Sequence, residues 1–219
     1  MKNTLLLSTH LSRFLLSGLG FCLLFHFSSH VNARSDVKSM WRNLVDNQPT
    51  HVAAPLLANT AQPGDGQAAI QMATSPDGGA LDLVLAVIHS AKKSICVASY
   101  SFTSKPIAKA LLDKHRAGVV VRVVMDASQH AEQYTAATFL ANAGISVRIN
   151  SRYALQHSKI LLVDDDTIET GSFNFTQAAA KRNSENVLVV WHHPALAAQY
   201  MRYWQRLWDE GEDYATWRH

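Results

Sequence analysis

From Ile70 onward the chain alternates short apolar or β-branched runs with segments whose apolar residues recur at helical spacing. That alternation leaves few folds open. Strands are expected at Ile70–Thr74, Ser94–Ser99, Val119–Met125, Ser146–Ile149, 157–163, Thr167–Thr170 and Asn186–Trp191. Helices are expected at Leu81–Ala91, Pro106–Arg116, Ala131–Ala143 and Pro194–Glu210. Pro106 near the first turn and Gly118 beyond the last punctuate the second helix, and Gly144 ends the third. The closing helix carries Leu196, Tyr200, Tyr203, Trp204 and Leu207 on one side, a pattern that reads as core rather than as a stacking platform. Strands and helices in alternation imply an α/β layer fold with a largely buried sheet. There is no internal repeat and no GxSxG, GxxxxGKS or GxGxxG element.

Within this pattern the segment from His157 to Asn174 carries the chemistry. It reads His157, Ser158, Lys159, four apolar residues and Asp164, followed by Gly171, Ser172, Phe173 and Asn174. Side chains alternate faces along a strand, so a strand at 157–163 sets His157 and Lys159 on one face. Asp164 then falls on the opposite face or in the turn formed with Asp165 and Asp166, residues suited to a turn. Ser172 and Asn174 share a face if the chain stays extended. An imidazole can act as nucleophile or proton shuttle near neutral pH. A lysine supplies charge for phosphate oxygens, and Ser and Asn supply neutral donors. Glu185 opens the next apolar run, where its carboxylate could hold one ring nitrogen of His157 and set the tautomer.

A lone histidine in a strand is usually a core or surface residue, but H-x-K-x4-D followed by G-S-x-N is far more specific. The segment resembles the HKD motif of the phospholipase D superfamily. The similarity extends to Ala98–Thr103 (ASYSFT), Glu169–Thr176 (ETGSFNFT) and Asn183–Asn186 (NSEN), and covers roughly residues 70–214. Within that superfamily the chain is similar to the small single-motif bacterial endonucleases. The resemblance implies a single-domain α/β fold, a mixed β-sheet flanked by helices on both faces. It implies that His157 is the nucleophile and that Lys159 and Asn174 bind phosphate oxygens. Ser172 and Glu185 would support them, with Glu185 orienting an imidazole. Asp164 and Gly171 would be structural, and Tyr100, Ser101 and Thr103 would line a substrate groove.

The two-step chemistry needs one group to attack and another to protonate the leaving oxygen and then activate water. No second H-x-K occurs; His89, His115 and His130 lack a lysine two residues on. A two-fold homodimer that brings two motifs to one axis is the economical solution. No cofactor and no metal are expected, because paired lysines and asparagines replace a cation. Asp164–Asp166 lacks the Gly and distal Glu of a calcium loop, and the adjacent His192 and His193 read as a loop pair rather than shared ligands.

Lys2 and Arg13, the apolar stretch Leu15–Phe27 and small residues before Arg34 form a secretory signal pattern over 1–33. An uncleaved anchor is the alternative. Residues 34–69 read as a poorly ordered lead-in with Met40–Val45 as one helical turn, and 70–219 as the catalytic domain. Cleavage would leave 18 of the 20 basic residues against 17 acidic ones, so net charge does not announce a nucleic-acid binder. Any basic surface must be local, with Lys105, Lys109, Arg148, Arg152, Lys181 and Arg182 as candidates. Cys22 would leave with the signal and Cys96, in an apolar run, would remain as a buried free thiol. The expectation is a periplasmic or secreted, metal-independent phosphodiesterase acting on DNA, with RNA as a further substrate, with little sequence specificity and no stable membrane association after cleavage. The alternatives are a lipid phosphodiesterase of the same superfamily and a non-catalytic nucleic-acid-binding dimer.

Overall fold

A computed structural model describes residues 67–128 and 135–217. The expected signal segment, the helical turn at Met40–Val45 and most of the lead-in lie outside them. Eight strands form one sheet: β1 (Ala69–Ser75), β2 (Ser94–Ser99), β3 (Val120–Asp126), β4 (Ser146–Asn150), β5 (Lys159–Val163), β6 (Thr167–Gly171), β7 (Glu185–Trp191) and β8 (Glu212–Asp213). The helices are α1 (Ala80–Ser90), α2 (Lys105–Arg116), α3 (Ala136–Asn142), α4 (Gln177–Lys181), α5 (Pro194–Asp209) and α6 (Tyr214–Trp217).

The strand order is β1-β7-β6-β5-β2-β3-β4-β8. β2, β3 and β4 run parallel, joined by helical crossovers, whereas β2–β5, the β5–β6 hairpin, β6–β7 and the edge pairs are antiparallel. The sheet is mixed, as expected. Residue parity divides it into two cores. Val97, Val123, Leu161, Val187 and Val189 face α1, α2 and α3, while Cys96, Ala98, Val124, Ile160, Leu162 and Ile168 face α5. α5 closes the second core with Trp204, which is fully buried and donates its indole N–H to the Val97 carbonyl at 2.8 Å. Burying so large a ring stabilises strongly only because its polar edge finds that acceptor. Leu207 is buried beside it, with Leu196, Tyr200 and Tyr203 partly buried, so the closing helix is the core element its spacing indicates. Cys96 is a buried free thiol, and burial raises its pKa.

Three expectations need correction. The strand read at 157–163 begins only at Lys159, leaving His157 in the preceding loop. Of the helix read at Ala131–Ala143, residues 131–134 lie outside the described ones, and the described helix begins at Ala136 after an extended Thr135 (φ −89, ψ 152). The sequence reading also omitted α4, β8 and α6, which are too short to show periodicity.

Candidate active site

The C-terminal ends of β2 and β6 meet the N-terminal ends of β5 and β7 at one edge of the sheet, and four elements deliver the candidate residues there. Lys159 is the first residue of β5, paired with Ser99 on β2, and lies on the α1-facing side with Leu161 and Val163. It is 5% exposed, and burial lowers its pKa below 10.5 while the Glu185 carboxylate opposes the shift. Its ammonium donates to the His157 carbonyl at 2.7 Å and stands 3.0 Å from Nδ1 of the same residue. A protonated lysine is a donor only, so Nδ1 accepts and the neutral imidazole carries its proton on Nε2.

His157 is exposed, and two contacts orient it although no strand holds it. The Tyr100 ring stands 4.5 Å from its ring, tilted by 52°, and the Tyr100 N–H donates to the Ser158 carbonyl at 3.1 Å. From the other core, Ser158 Oγ bonds the Tyr203 hydroxyl of α5 at 2.7 Å. The loop is thus tied to β2 on one side and to α5 on the other.

The loop from β6 into α4 brings Ser172 and Asn174. Ser172 Oγ donates to Glu185 Oε2 at 2.6 Å and accepts the Asn186 N–H at 3.1 Å. Glu185 also accepts from Asn183 Nδ2 at 3.0 Å. Glu185 therefore makes no hydrogen bond to His157 within the chain, contrary to the sequence reading; its partners are Ser172 and Asn183. Asn183, part of the NSEN segment, was missed as a site residue. Asn174 is half-buried between the core residues Phe173 and Phe175, and its Oδ1 has no partner. Gly171 permits the close crossing of β6 over β7, since a Cβ there would lie 2.2 Å from the Asn186 carbonyl oxygen.

Asp164 stands at the far end of β5 from His157. Its carboxylate accepts the backbone N–H groups of Lys92 at 2.7 Å, Lys93 at 2.7 Å and Ser94 at 2.9 Å. It ties the β5–β6 turn to the start of β2, and its left-handed φ of 51° is one that Asp tolerates. These bonds engage both of its oxygens. Asp166 bonds His192 Nδ1 at 3.1 Å, while His193 caps α5. Among the described residues no three His, Cys, Asp or Glu side chains group as metal ligands.

Of the expected groove residues, Tyr100 is at the imidazole and Ser101 follows it in the same loop. Thr103 faces a neighbouring apolar groove lined by Ser104, Pro106, Ala108, Ala136 and Phe139. Two of the basic candidates are engaged within the chain. Arg148 is engaged by Trp208, with its guanidinium 4.8 Å above the ring and bonded to the backbone carbonyl, and Lys109 pairs with Asp113.

Residues 84–208 match the family described as cardiolipin synthase, PLD-like domain. A phospholipase D of Rickettsia typhi is 28% identical over 180 residues, 82% of this chain and 81% of its own length. A mitochondrial cardiolipin hydrolase of Xenopus laevis is 32% identical over 131 residues, 60% of this chain and 62% of that one. The crystal structure of the phospholipase D family member Nuc from Salmonella typhimurium superposes with a TM-score of 0.66 at 43% identity, covering 68% of this chain and 99% of Nuc.

Proposed function

The chain belongs to the phospholipase D superfamily of enzymes acting on phosphodiester bonds, and from that premise we propose that it is an exported endonuclease. It cleaves DNA through a phosphohistidine formed at a homodimer interface. The observation that carries this reading is the contact of Lys159 with His157 at an open sheet edge, with the Ser172–Glu185 pair delivered to the same edge. An incoming phosphate offers Lys159 a charged acceptor in place of neutral Nδ1, and charge-assisted bonds are the stronger. The ammonium moves to the phosphate oxygens with the Asn174 amide. An imidazole nitrogen with a free lone pair attacks phosphorus, and the bond to the leaving oxygen breaks as the second His157 protonates it. That second imidazole, now neutral, takes a proton from water, whose oxygen displaces His157 and releases the phosphate. The second His157 comes from the partner subunit, because the chain holds one H-x-K motif. Glu185, joined to Ser172 at the same edge, orients an imidazole from that subunit.

Nicking of supercoiled plasmid in excess EDTA by the folded chain, beside His157→Ala, tests the reading. Cleavage in EDTA that the substitution removes supports it. Cleavage that needs divalent metal overturns the mechanism. No cleavage with or without metal transfers the site to phospholipids or to binding alone. The phospholipid alternative has one specific observation behind it, the apolar groove around Phe139, which borders the Tyr100–Ser104 loop.

A further inference from the structure

Next to the catalytic lysine the fold buries a carboxyl that the mechanism does not use. Glu169 is 0% exposed, and neither carboxyl oxygen has a side-chain partner; the backbone N–H of Leu161 is the one group that offsets its burial. Such a group costs stability unless it serves something else. Its place in the sheet is defined on both sides, opposite Leu161 on β5 and opposite Val189 on β7. Lys159 is two residues from Leu161 on the same strand, so Lys159 and Glu169 lie on the same face in neighbouring rows. Diagonal neighbours of this kind stand roughly 7–8 Å apart at the backbone, within reach of two long side chains. The position on β6 beside Lys159 is Gly171, which has no side chain to separate them.

In the resting site the carboxylate that acts on Lys159 is Glu185, and Lys159 is the cation that Glu169 could draw on. Among the described residues Lys159 is the one cation on this face of β5, β6 and β7. Val187, Val189 and Trp191 are apolar, and Glu185 at the site end of β7 is bonded to Ser172 and Asn183. α1 presents Leu83, Val84, Val87 and Ile88 to this core, with Asp82 and His89 exposed to solvent. β1 adds Ser75 opposite Glu185. α5 packs on the other face.

We propose that Glu169 is a positioning residue for Lys159. As a neutral acid it leaves the ammonium to the substrate phosphate, and as a carboxylate it draws the ammonium back along the sheet and out of the phosphate pocket. Burial pushes the Glu169 carboxyl up to about 8, so the switch falls just above neutral pH. A titrating group on the same face as the lysine gives the site an alkaline limit of its own. The proposal rests on the phosphodiesterase reading of the site.

The test is hydrolysis of bis(p-nitrophenyl) phosphate, a diester that stays monoanionic, from pH 6 to pH 10 by the full chain and by Glu169→Gln. In the wild type KM is expected to rise about 10-fold or more above pH 8, with kcat falling less, as binding of the phosphate is lost. In Glu169→Gln that rise is expected to move to higher pH. Superimposable profiles for the two proteins overturn the proposal while leaving the phosphodiesterase reading in place. A wild type that neither turns over nor binds the diester at any pH overturns that reading, and this proposal with it. If Glu169→Gln does not fold, the Lys159 side-chain carbon and nitrogen shifts of the wild type decide the matter. A step near pH 8 supports the coupling, and its absence overturns it.

Discussion

Nζ of Lys159 stands 3.0 Å from Nδ1 of His157, and the same ammonium bonds the carbonyl of that residue at 2.7 Å. The two motif residues are each other's partners before any substrate arrives. Because the lysine can only donate, it selects the Nε2–H tautomer of the resting imidazole. Lys159→Met is expected to erase that selection, seen as a mixed tautomer population in the imidazole nitrogen spectrum. Turnover is expected to fall by roughly 10²- to 10³-fold, the usual cost of removing a preorganised donor to a reacting oxyanion. An unchanged tautomer in the variant would show that another group sets it.

Asp164 carries the third letter of the motif but none of its chemistry. Its three backbone N–H bonds span about seventy residues of sequence and tie the β5–β6 turn to the start of β2. Asp164→Ala is expected to cost roughly 2–4 kcal/mol of unfolding free energy, since the bonds are charge-assisted but partly open to solvent. Denaturant titration reads the loss. Turnover of the protein that remains folded is expected to change far less than in His157→Ala.

Glu169 makes stability depend on pH. Its folded-state pKa of about 8 lies above the ordinary value of 4.5. The unfolded chain therefore loses this proton first as pH rises, and the folded state loses stability from about pH 4.5 up to about pH 8. At about 1.4 kcal/mol per unit, the loss reaches roughly 3 kcal/mol by pH 7. Glu169→Gln is expected to be close to wild type near pH 4.5 and more stable by that order at pH 7. Equal pH slopes of the unfolding free energy in the two proteins would contradict the assignment.

Gly171 is required by the close approach of β7. A methyl group there would meet the Asn186 carbonyl oxygen at 2.2 Å and Oδ1 of the same residue at 3.1 Å. Gly171→Ala is expected to spread β6 from β7 and to break the Ser172–Asn186 bonds. Thermal unfolding should show a loss of at least ~2 kcal/mol, in the range of core overpacking. The Ser172–Glu185 pair would be displaced with them, so activity should fall together with stability.

The parts of this protein written in short-range sequence are those set by alternation and spacing. The near-continuous apolar runs at 94–99 and 120–126 and the period-3.6 pattern at 194–209 specify strands and helices because each must bury two faces or one stripe. The spacing of His157, Lys159, Asp164, Ser172 and Asn174 points to phosphate chemistry, and residue parity sets Asp164 off the face of Lys159, in the turn or on the opposite side. What only the tertiary structure decided is which groups touch. His157 lies off the strand, held by Tyr100 and through Ser158 by Tyr203. Glu185 is committed to Ser172 and Asn183. Glu169, an acid in a short strand of mostly polar residues, becomes fully buried on the same face as Lys159 because β5 and β7 flank it in register while α1 covers it. Hydrogen-bond partners and burial depend on strand register and on loops that close over tens of residues. Local propensity does not encode either of them.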